Sequence, residues 1–316
     1  MSVAARVSPK DYFTAEEWTP LAKRSAWAGP LMIAHCWAVI AGCMVMGVIW
    51  PLTIPLAVML IGARQLGLAI LMHDAAHGAM HPDQTINDAL GEWLCGAPVG
   101  ARLASYRDYH LQHHKFAQQA EDPDLGLSAP FPITRASLMR KAVRDLTGQT
   151  FFKQRSAMLR AQLKARAKGA PILPIYFAEI KRQRRFYAWQ LGLLVAASVA
   201  GAWWAYFVLW LVPMATWYPL ITRIRNIAEH ALVAKNEPDP LLHARTTRAG
   251  ILARMFLAPY YVNYHGEHHL FMHVPCYRLP KINRMLGARG VTGRMETQPG
   301  YLAMLRRAAA ADMAGA

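Results

Sequence analysis

The 316-residue chain is poor in cysteine and in acidic residues. Its four cysteines show neither C-x-x-C spacing nor a paired framework, which argues against an iron–sulfur cluster and against a disulfide-stapled domain. The chain has 19 Asp and Glu residues against 35 Lys and Arg, so its formal net charge is +16. The first 26 residues contain no apolar run before a small-residue cleavage site, and we therefore predict no removable signal peptide.

Three motifs of well-known soluble enzymes are also missing. No H-E-x-x-H string marks a helical zinc protease, and no glutamate has a histidine three residues later, as ferritin-like di-iron helices require. No G-x-G-x-x-G lies in a strand-to-helix context, which argues against a dinucleotide-binding unit.

Long apolar runs are abundant. Residues 27–50 and 52–72 predict a helical hairpin across a bilayer, because about 20 helical residues span a hydrocarbon core of about 30 Å. Residues 187–201 and 203–222 predict a second pair of spans. Residues 89–104 form a shorter apolar patch, broken by glycine and proline, that suits an interfacial or buried segment. We predict an all-α integral membrane protein with four transmembrane helices.

Basic residues predict the orientation of these spans. Residues 135–185 carry fourteen Lys and Arg against two acids, and the N-terminal arm, residues 1–26, carries four more. By the positive-inside rule both segments are cytoplasmic, and four spans then place the ends of the second and fourth spans on the same face. Attraction to anionic lipid headgroups explains the net charge better than nucleic-acid binding does.

Nine of the thirteen histidines fall in four short clusters that follow apolar runs. The clusters are HDAAH (His73, His77), HLQHH (His110, His113, His114), NIAEH (His230) and HGEHH (His265, His268, His269). Residues three and four apart share one face of a helix, so the members of a cluster can reach common ions. Because one tetrahedral ion needs three or four protein ligands, nine imidazoles can saturate two ions. We interpret the clusters as a dimetal site in a cytoplasmic helical cap, with zinc, copper, iron and nickel all compatible with imidazole ligands.

Four histidines lie outside the predicted site: His35, His81, His243 and His273. Each is more simply a surface histidine or a hydrogen-bonded core histidine. His273, four residues after His269, is the first replacement if a ligand is missing.

The order and spacing of the histidine boxes resemble the membrane fatty acid desaturase family. The similarity covers residues 27–280, which we predict to form one membrane domain followed by a cytoplasmic tail, residues 281–316. The resemblance implies two iron ions in the cytoplasmic cap, and a reaction that uses O2 and two electrons to remove hydrogen from an unactivated C–H bond. Carried over by motif, the implied ligands are His73, His77, His110, His113, His114, His265, His268 and His269. The N-x3-H of animal acyl-CoA desaturases resembles Asn226 to His230, which implies His230 as the ninth histidine ligand and Asn226 as a direct or water-mediated contact.

Acidic residues beside these ligands are candidates to orient the metal-bound imidazoles, which usually donate their second N–H to a carboxylate or carbonyl. They are Asp74, Asp122, Asp124, Glu229 and Glu267. The alternative is that these acids are solvated or paired with Arg107, and that Asp122 and Pro123 are turn residues.

The sequence thus predicts a membrane-bound, O2-dependent di-iron enzyme that inserts a double bond into a fatty acyl chain, free or linked to CoA, a carrier protein or a lipid. We expect electrons from a separate ferredoxin or cytochrome b5-type donor, because no donor segment is recognisable in the chain. Candidate tunnel residues, or alternatively an aromatic belt, are Trp203, Trp204, Trp217 and Tyr218. Hydroxylation, ketolation and oxidative decarboxylation to an alkene are alternatives on the same site, and a zinc hydrolase or a non-catalytic metal-binding membrane protein are more distant ones.

Overall fold

A computed structural model describes residues 4–166 and 170–310. Parts of the predicted arm (1–3), basic stretch (167–169) and tail (311–316) lie outside the described residues. The α-helices, in chain order, are α1 (Ala15–Ala22), α2 (Ala28–Ile49), α3 (Ile54–Ala76), α4 (Gln84–Ala89), α5 (Leu103–Lys115), α6 (Leu125–Ser128), α7 (Arg135–Leu146), α8 (Gln149–Arg155), α9 (Ala157–Ala165), α10 (Leu173–Arg182), α11 (Arg184–Val199), α12 (Trp203–Ala205), α13 (Val212–Ala215), α14 (Trp217–His230), α15 (Ile251–Phe256), α16 (His265–Leu270), α17 (Leu279–Ala288) and α18 (Tyr301–Ala308). π-Helical turns cover Leu90–Gly96 and Tyr206–Leu211, and 3-10 turns cover Pro9–Asp11, Pro51–Thr53, Ala97–Val99, Pro240–Leu242, Cys276–Arg278 and Val291–Gly293. The only strands in the described ranges, β1 (Thr246–Thr247) and β2 (Thr297–Gln298), pair in parallel.

The first apolar hairpin forms as predicted, with α2 and α3 joined at Pro51. Both arms, Ala28–Ile49 and Pro51–Ala76, are long and apolar enough to cross a membrane. The second arm continues one turn past the predicted end at residue 72, so that the first histidine box begins inside the helix. All but one of residues 61–76 are buried, which makes α3 the central helix of the fold.

The second predicted pair of spans is only partly reproduced. Trp203–His230 is the third helical segment of the described chain that is long and apolar enough to cross a membrane. It contains a π-helical turn, where the backbone carbonyl of Trp210 accepts a 2.8 Å hydrogen bond from Nε2 of Gln65 on α3. The preceding helix, α11, has 16 residues and rises about 24 Å, less than the hydrocarbon core requires. The third predicted span, residues 187–201, therefore stays a prediction.

The apolar patch at residues 89–104 is a partly buried segment that packs one side against α3 and leaves Trp93 exposed. Its π-helical turn brings two glycines close to that helix: a Cβ on Gly91 would lie 2.4 Å from Cβ of Ala75, and one on Gly96 2.7 Å from Sδ of Met72. The segment then leads directly into α5, and Arg107 of α5 donates to the carbonyls of Ala75 (3.0 Å) and Ala76 (2.9 Å) at the end of α3. These contacts hold two histidine-bearing helices side by side.

Candidate metal centre

Four helical segments bring the nine predicted histidine ligands to one place. His73 lies in the last turn of α3 and His77 directly follows it, while His230 ends α14. The remaining six come from α5 and α16. Eight of the nine are buried, and His269 is partly buried.

The nine imidazoles divide into two groups, and within each group the ligand nitrogens lie within 4.8 Å of one another. The five-histidine group is His73, His77, His110, His114 and His268, and the four-histidine group is His113, His230, His265 and His269. Each H-x2-HH box contributes to both groups, because residues at i, i+3 and i+4 project at slightly different angles from one helix face. Each group has enough nitrogens to hold one metal ion.

The nitrogen atoms already have the spacing of a coordination shell. Nε2 of His114 lies 3.0 Å from Nε2 of both His110 and His268, and Nε2 of His230 lies 2.8 Å from Nε2 of His265. Two nitrogens bound to one ion at about 2.1 Å would lie about 3 Å apart in the same way. The geometry therefore fits a metal at the centre of each group.

Unpaired buried nitrogens support the same interpretation. Nε2 of His73 and both ring nitrogens of His77 are buried and have no hydrogen-bond partner in the described part of the chain. Such atoms are costly unless something binds them. Burial holds the pKa of six imidazoles well below the ordinary value, which keeps them in the neutral, metal-binding form: His77, His110, His114, His265, His268 and His269. The residues fit a metal such as iron, although imidazole donors alone do not select one element.

Asp122 has the clearest contact of any predicted acid. Its Oδ1 lies 2.8 Å from Nδ1 of His113, and the carboxylate also accepts from the backbone N–H groups of Gln118 (2.9 Å) and Asp124 (2.8 Å). Asp122 is thus both a turn residue and a partner of His113, so the two roles considered for it from the sequence are compatible. A hydrogen bond at Nδ1 fixes the ring and directs Nε2 towards its group.

Asp74 and Asp124 also lie close to ligand histidines, but neither has a short contact with a ring nitrogen. Asp74 Oδ1 is 3.8 Å from Nδ1 of His73, and Oδ2 accepts from the backbone N–H of Cys276. Asp124 lies 3.8 Å from Nδ1 of the His113 ring and accepts from the hydroxyl of Tyr109.

Glu229 is bound mainly by a cation of its own helix. Its Oε1 accepts a 2.6 Å hydrogen bond from Nε of Arg225, one helical turn away. Its Oε2 is buried without a hydrogen-bond partner in the described ranges and lies 3.6 Å from Nε2 of His265. Arg107, the alternative partner considered from the sequence, pairs with Asp88 instead of with any predicted acid.

Glu267 and Asn226 are placed differently from the other predicted residues. The carboxylate of Glu267 accepts from the hydroxyl of Thr246 and from Nδ2 of Asn283 (2.6 Å), so it ties α16 to β1 and α17. Asn226 lines a cavity of about 30 Å³ together with histidines of both groups.

Sequence reasoning missed two side chains that touch the site. The side-chain amide of Gln118 lies 3.4 Å from Nδ1 of His230, and the ring of Tyr106 stacks on His110 at 5.2 Å. Both lie within four residues of the HLQHH box, which is the signal that could have found them. The four histidines left out of the site are in neither group, and Nδ1 of His273 lies 3.4 Å from the carbonyl of His77.

A larger cavity of about 560 Å³ extends from Asn226 between α8, α13 and α14. Its walls carry both apolar side chains, such as Met214 and Phe151, and the cations Arg155 and Arg182. Of the four aromatic residues considered for a tunnel, only Tyr218 lines this cavity.

Comparison with known proteins agrees with the resemblance drawn from the histidine boxes. Residues 49–295 match the protein family described as fatty acid desaturase. The chain is 28% identical over 286 residues to dihydrorhizobitoxine desaturase of Bradyrhizobium elkanii, covering 86% of this chain and 76% of the relative. It is also similar to beta-carotene ketolases of two Paracoccus strains, PC1 (25% over 222 residues, 70% of this chain and 75% of the relative) and N81106 (26% over 217 residues, 68% and 72%).

Proposed function

The chain belongs to the fatty acid desaturase family, and we propose that it is a membrane-bound, O2-dependent di-iron desaturase that introduces a double bond into a long alkyl chain. The observation that carries the proposal is the convergence of nine histidines into two adjacent groups of ligand nitrogens. An alkyl C–H bond offers no proton that a side-chain base could remove, so the chemistry needs a redox metal.

In this proposal the histidines of each group would hold one iron, and the two irons would supply the redox chemistry that an unactivated C–H bond requires. The chain's own residues keep the imidazoles neutral by burial, orient their rings through contacts such as that of Asp122 with His113, and exclude water. Asn226 is proposed as a direct or water-mediated contact, since it lines the small cavity between the groups.

We place the substrate chain in the 560 Å³ cavity that ends at Asn226. Its volume lies in the ordinary range for a ligand site, and its apolar side chains suit an alkyl chain. The guanidinium of Arg155 donates to the carbonyls of Val99 and Gly100 in the cavity wall and has no carboxylate partner among the described residues. It could meet the anionic end of a fatty acyl substrate.

A ketolase or hydroxylase is the second candidate, because two of the relatives are beta-carotene ketolases. Oxygen insertion and removal of a second hydrogen can begin on the same metal site, and so can alkene-forming decarboxylation, so the ligand set does not separate them. A zinc hydrolase would need neither O2 nor an electron donor. We propose a separate ferredoxin or cytochrome b5-type donor and an active site on the cytoplasmic face, because the positive-inside rule predicts that face for the basic segments.

Lipid profiling by mass spectrometry tests the proposal in cells that express the full chain with a ferredoxin or cytochrome b5 donor. We expect an acyl product lighter by two hydrogens that disappears in His268→Ala and persists in His81→Ala, because the His81 ring contacts the backbone of Asp83 and belongs to neither histidine group. A product heavier by one oxygen, a ketone or a terminal alkene would reassign the reaction. Tightly bound zinc with turnover in the absence of O2 would refute the di-iron proposal.

A further inference from the structure

A second large cavity, of about 670 Å³, lies between α2, α3 and α15. None of the nine predicted histidine ligands lines it, so it is separate from the candidate metal centre. Its walls combine apolar side chains with tyrosines and with two arginines, Arg64 and Arg254. The question is what these two cations bind.

Arg64 is a buried cation inside a candidate membrane span. Arg64 is 7% exposed, and its Nη2 donates to the backbone carbonyls of Arg254 (3.2 Å) and Met255 (3.0 Å). Its Nε is buried and has no hydrogen-bond partner within residues 4–166 and 170–310. A guanidinium stays charged at any physiological pH, and charged residues within spans usually mark a ligand or partner.

Arg254 on α15, a partly buried residue outside the candidate spans, adds a second positive charge. Its Nη2 is 3.4 Å from the hydroxyl of Tyr264, and its Nε is likewise buried without a partner in the described structure. Each guanidinium lies over a tyrosine ring, Arg64 at 5.5 Å from Tyr260 and Arg254 at 5.6 Å from Tyr261. No carboxylate of the described chain forms an ion pair with either arginine. The cavity thus presents two positive charges that the chain itself does not neutralise, which is costly in a buried setting.

The cavity follows α2 from Ala28, next to Trp27, to Val39, so it reaches from the interfacial end of the span into its apolar part. Trp27 (75% exposed) and Trp50 (60% exposed) flank α2, as interfacial aromatic belts flank a span. Sγ of Cys36 donates to the carbonyl of Arg64, so this arginine lies nine residues, or about 13 Å, below Trp27. A long arginine side chain can reach from there towards the interface.

The surroundings of the two arginines suit an amphiphile. Ile251 (76% exposed) and Leu252 (68% exposed) point outward from α15 and present an apolar surface next to the cavity. Inside, Met32, Val39 and Leu60 line the wall away from α15. This combination accommodates an anionic head group with an acyl chain attached.

We propose that this cavity binds one anionic phospholipid, whose phosphate lies between Arg64 and Arg254 and whose acyl chain follows the apolar wall. The bound lipid would link α15 to the α2–α3 hairpin. The proposed substrate cavity shares Leu127 and Asn226 with the small histidine-lined cavity, whereas this cavity shares no lining residue with it, so we assign the lipid as a structural ligand and not as the substrate. The proposal does not depend on the reaction that the metal centre catalyses.

The test is native mass spectrometry of the purified full chain in detergent, titrated with phosphatidylglycerol or with phosphatidylcholine of the same acyl chains. We expect selective binding of phosphatidylglycerol, weakened about fivefold by Arg254→Gln and further by adding Arg64→Gln, the size expected for one basic side chain at an anionic headgroup. Arg254→Lys should keep most of the selectivity. Arg294→Gln, a 67% exposed side chain outside the cavity, should bind like the unaltered chain.

Equal binding of the two lipids, or unaltered phosphatidylglycerol binding by Arg254→Gln, would overturn the proposal. Full competition by inorganic phosphate, or binding of oleate in place of phospholipid, would also overturn the assignment to a lipid headgroup. If the Arg64 variant fails to fold, the binding measured for Arg254→Gln tests the proposal by itself. We expect that variant to fold, because Arg254 lies on a short, partly exposed helix.

Discussion

At the residue scale, Asp122 makes a direct contact with one of the candidate ligand imidazoles. Its carboxylate is buried, bonds Nδ1 of His113 and is fixed in turn by two backbone N–H groups. An outer partner of this kind typically changes metal affinity by about 10- to 100-fold. The effect should concern the four-histidine group, which includes His113.

We predict that Asp122→Asn lowers the metal content of the purified protein by weakening binding at the four-histidine group, with the fold retained. The reason is that an amide does not hold Nδ1–H of His113 as a carboxylate does. Metal analysis by mass spectrometry and the thermal midpoint provide the two readouts. Glu121→Gln, a change at the neighbouring acid, is the matched control and should keep its iron. An Asp122→Asn protein with full iron content would show that this contact has no role in metal binding.

The sequence was sufficient to predict which histidines share a helix face, because helical spacing is a local property. Residues three and four apart lie on one face wherever the helix is placed in the fold. The acids were harder to assign. Glu267 stands between two predicted ligands in the sequence, yet it faces Thr246 and Asn283 from another side of α16. Which partner an acid meets depends on the elements that pack around it, and those are distant in sequence.

At the scale of elements, the packing of the Leu90–Gly96 turn on α3 sets the place of the first histidine box. Gly91 lies opposite Ala75, which stands between His73 and His77 in the sequence. A Cβ on Gly91 would come within 2.4 Å of the Ala75 methyl group. The close approach is therefore available only to glycine. The sequence indicated an interfacial or buried segment here, but it could not show that the glycines face α3, since that depends on tertiary contact.

Gly91→Ala should destabilise the protein by about 1–3 kcal/mol, the usual cost of overpacking, and should lower iron occupancy by displacing the end of α3. Gly42→Ala is the matched control: it lies in α2 with nothing within 4 Å of the added Cβ, and it should be neutral or stabilising by up to about 1 kcal/mol. Thermal unfolding followed by circular dichroism measures both. Equal midpoints for the two variants would contradict the proposed packing.

The length of α11 shows where apolar composition alone was insufficient. Residues 187–201 are apolar enough to predict a span, but the helix ends at Val199, because Gly201 adopts a left-handed conformation (φ 72°) and starts the turn into Trp203. The predicted turn near Gly201 is present, but α11 has only 16 residues, so a crossing at residues 187–201 stays a prediction. Hydropathy reports composition along the chain and does not fix where backbone turns begin.

At the scale of the whole molecule, the arrangement of spans determines which face the metal centre occupies. The ends of α3 and α14 carry histidines of both groups, so these two helices must end on the same side. The basic segments predict that this side is cytoplasmic. The hairpin turn at Leu52, which is 98% exposed, and Ala200 after α11 should then both lie on the opposite side.

Accessibility of introduced thiols tests this arrangement, because all four native cysteines are buried and should not react. In intact cells, a membrane-impermeant maleimide should label Leu52→Cys and Ala200→Cys. Lys153→Cys, on exposed basic helix α8, should react only after the cells are permeabilised. Labelling of Lys153→Cys from outside would reverse the orientation and move the metal centre to the external face. Protection of Ala200→Cys together with labelling of Leu52→Cys would mean that α11 and the Trp203–His230 segment do not cross the bilayer, leaving a single membrane hairpin.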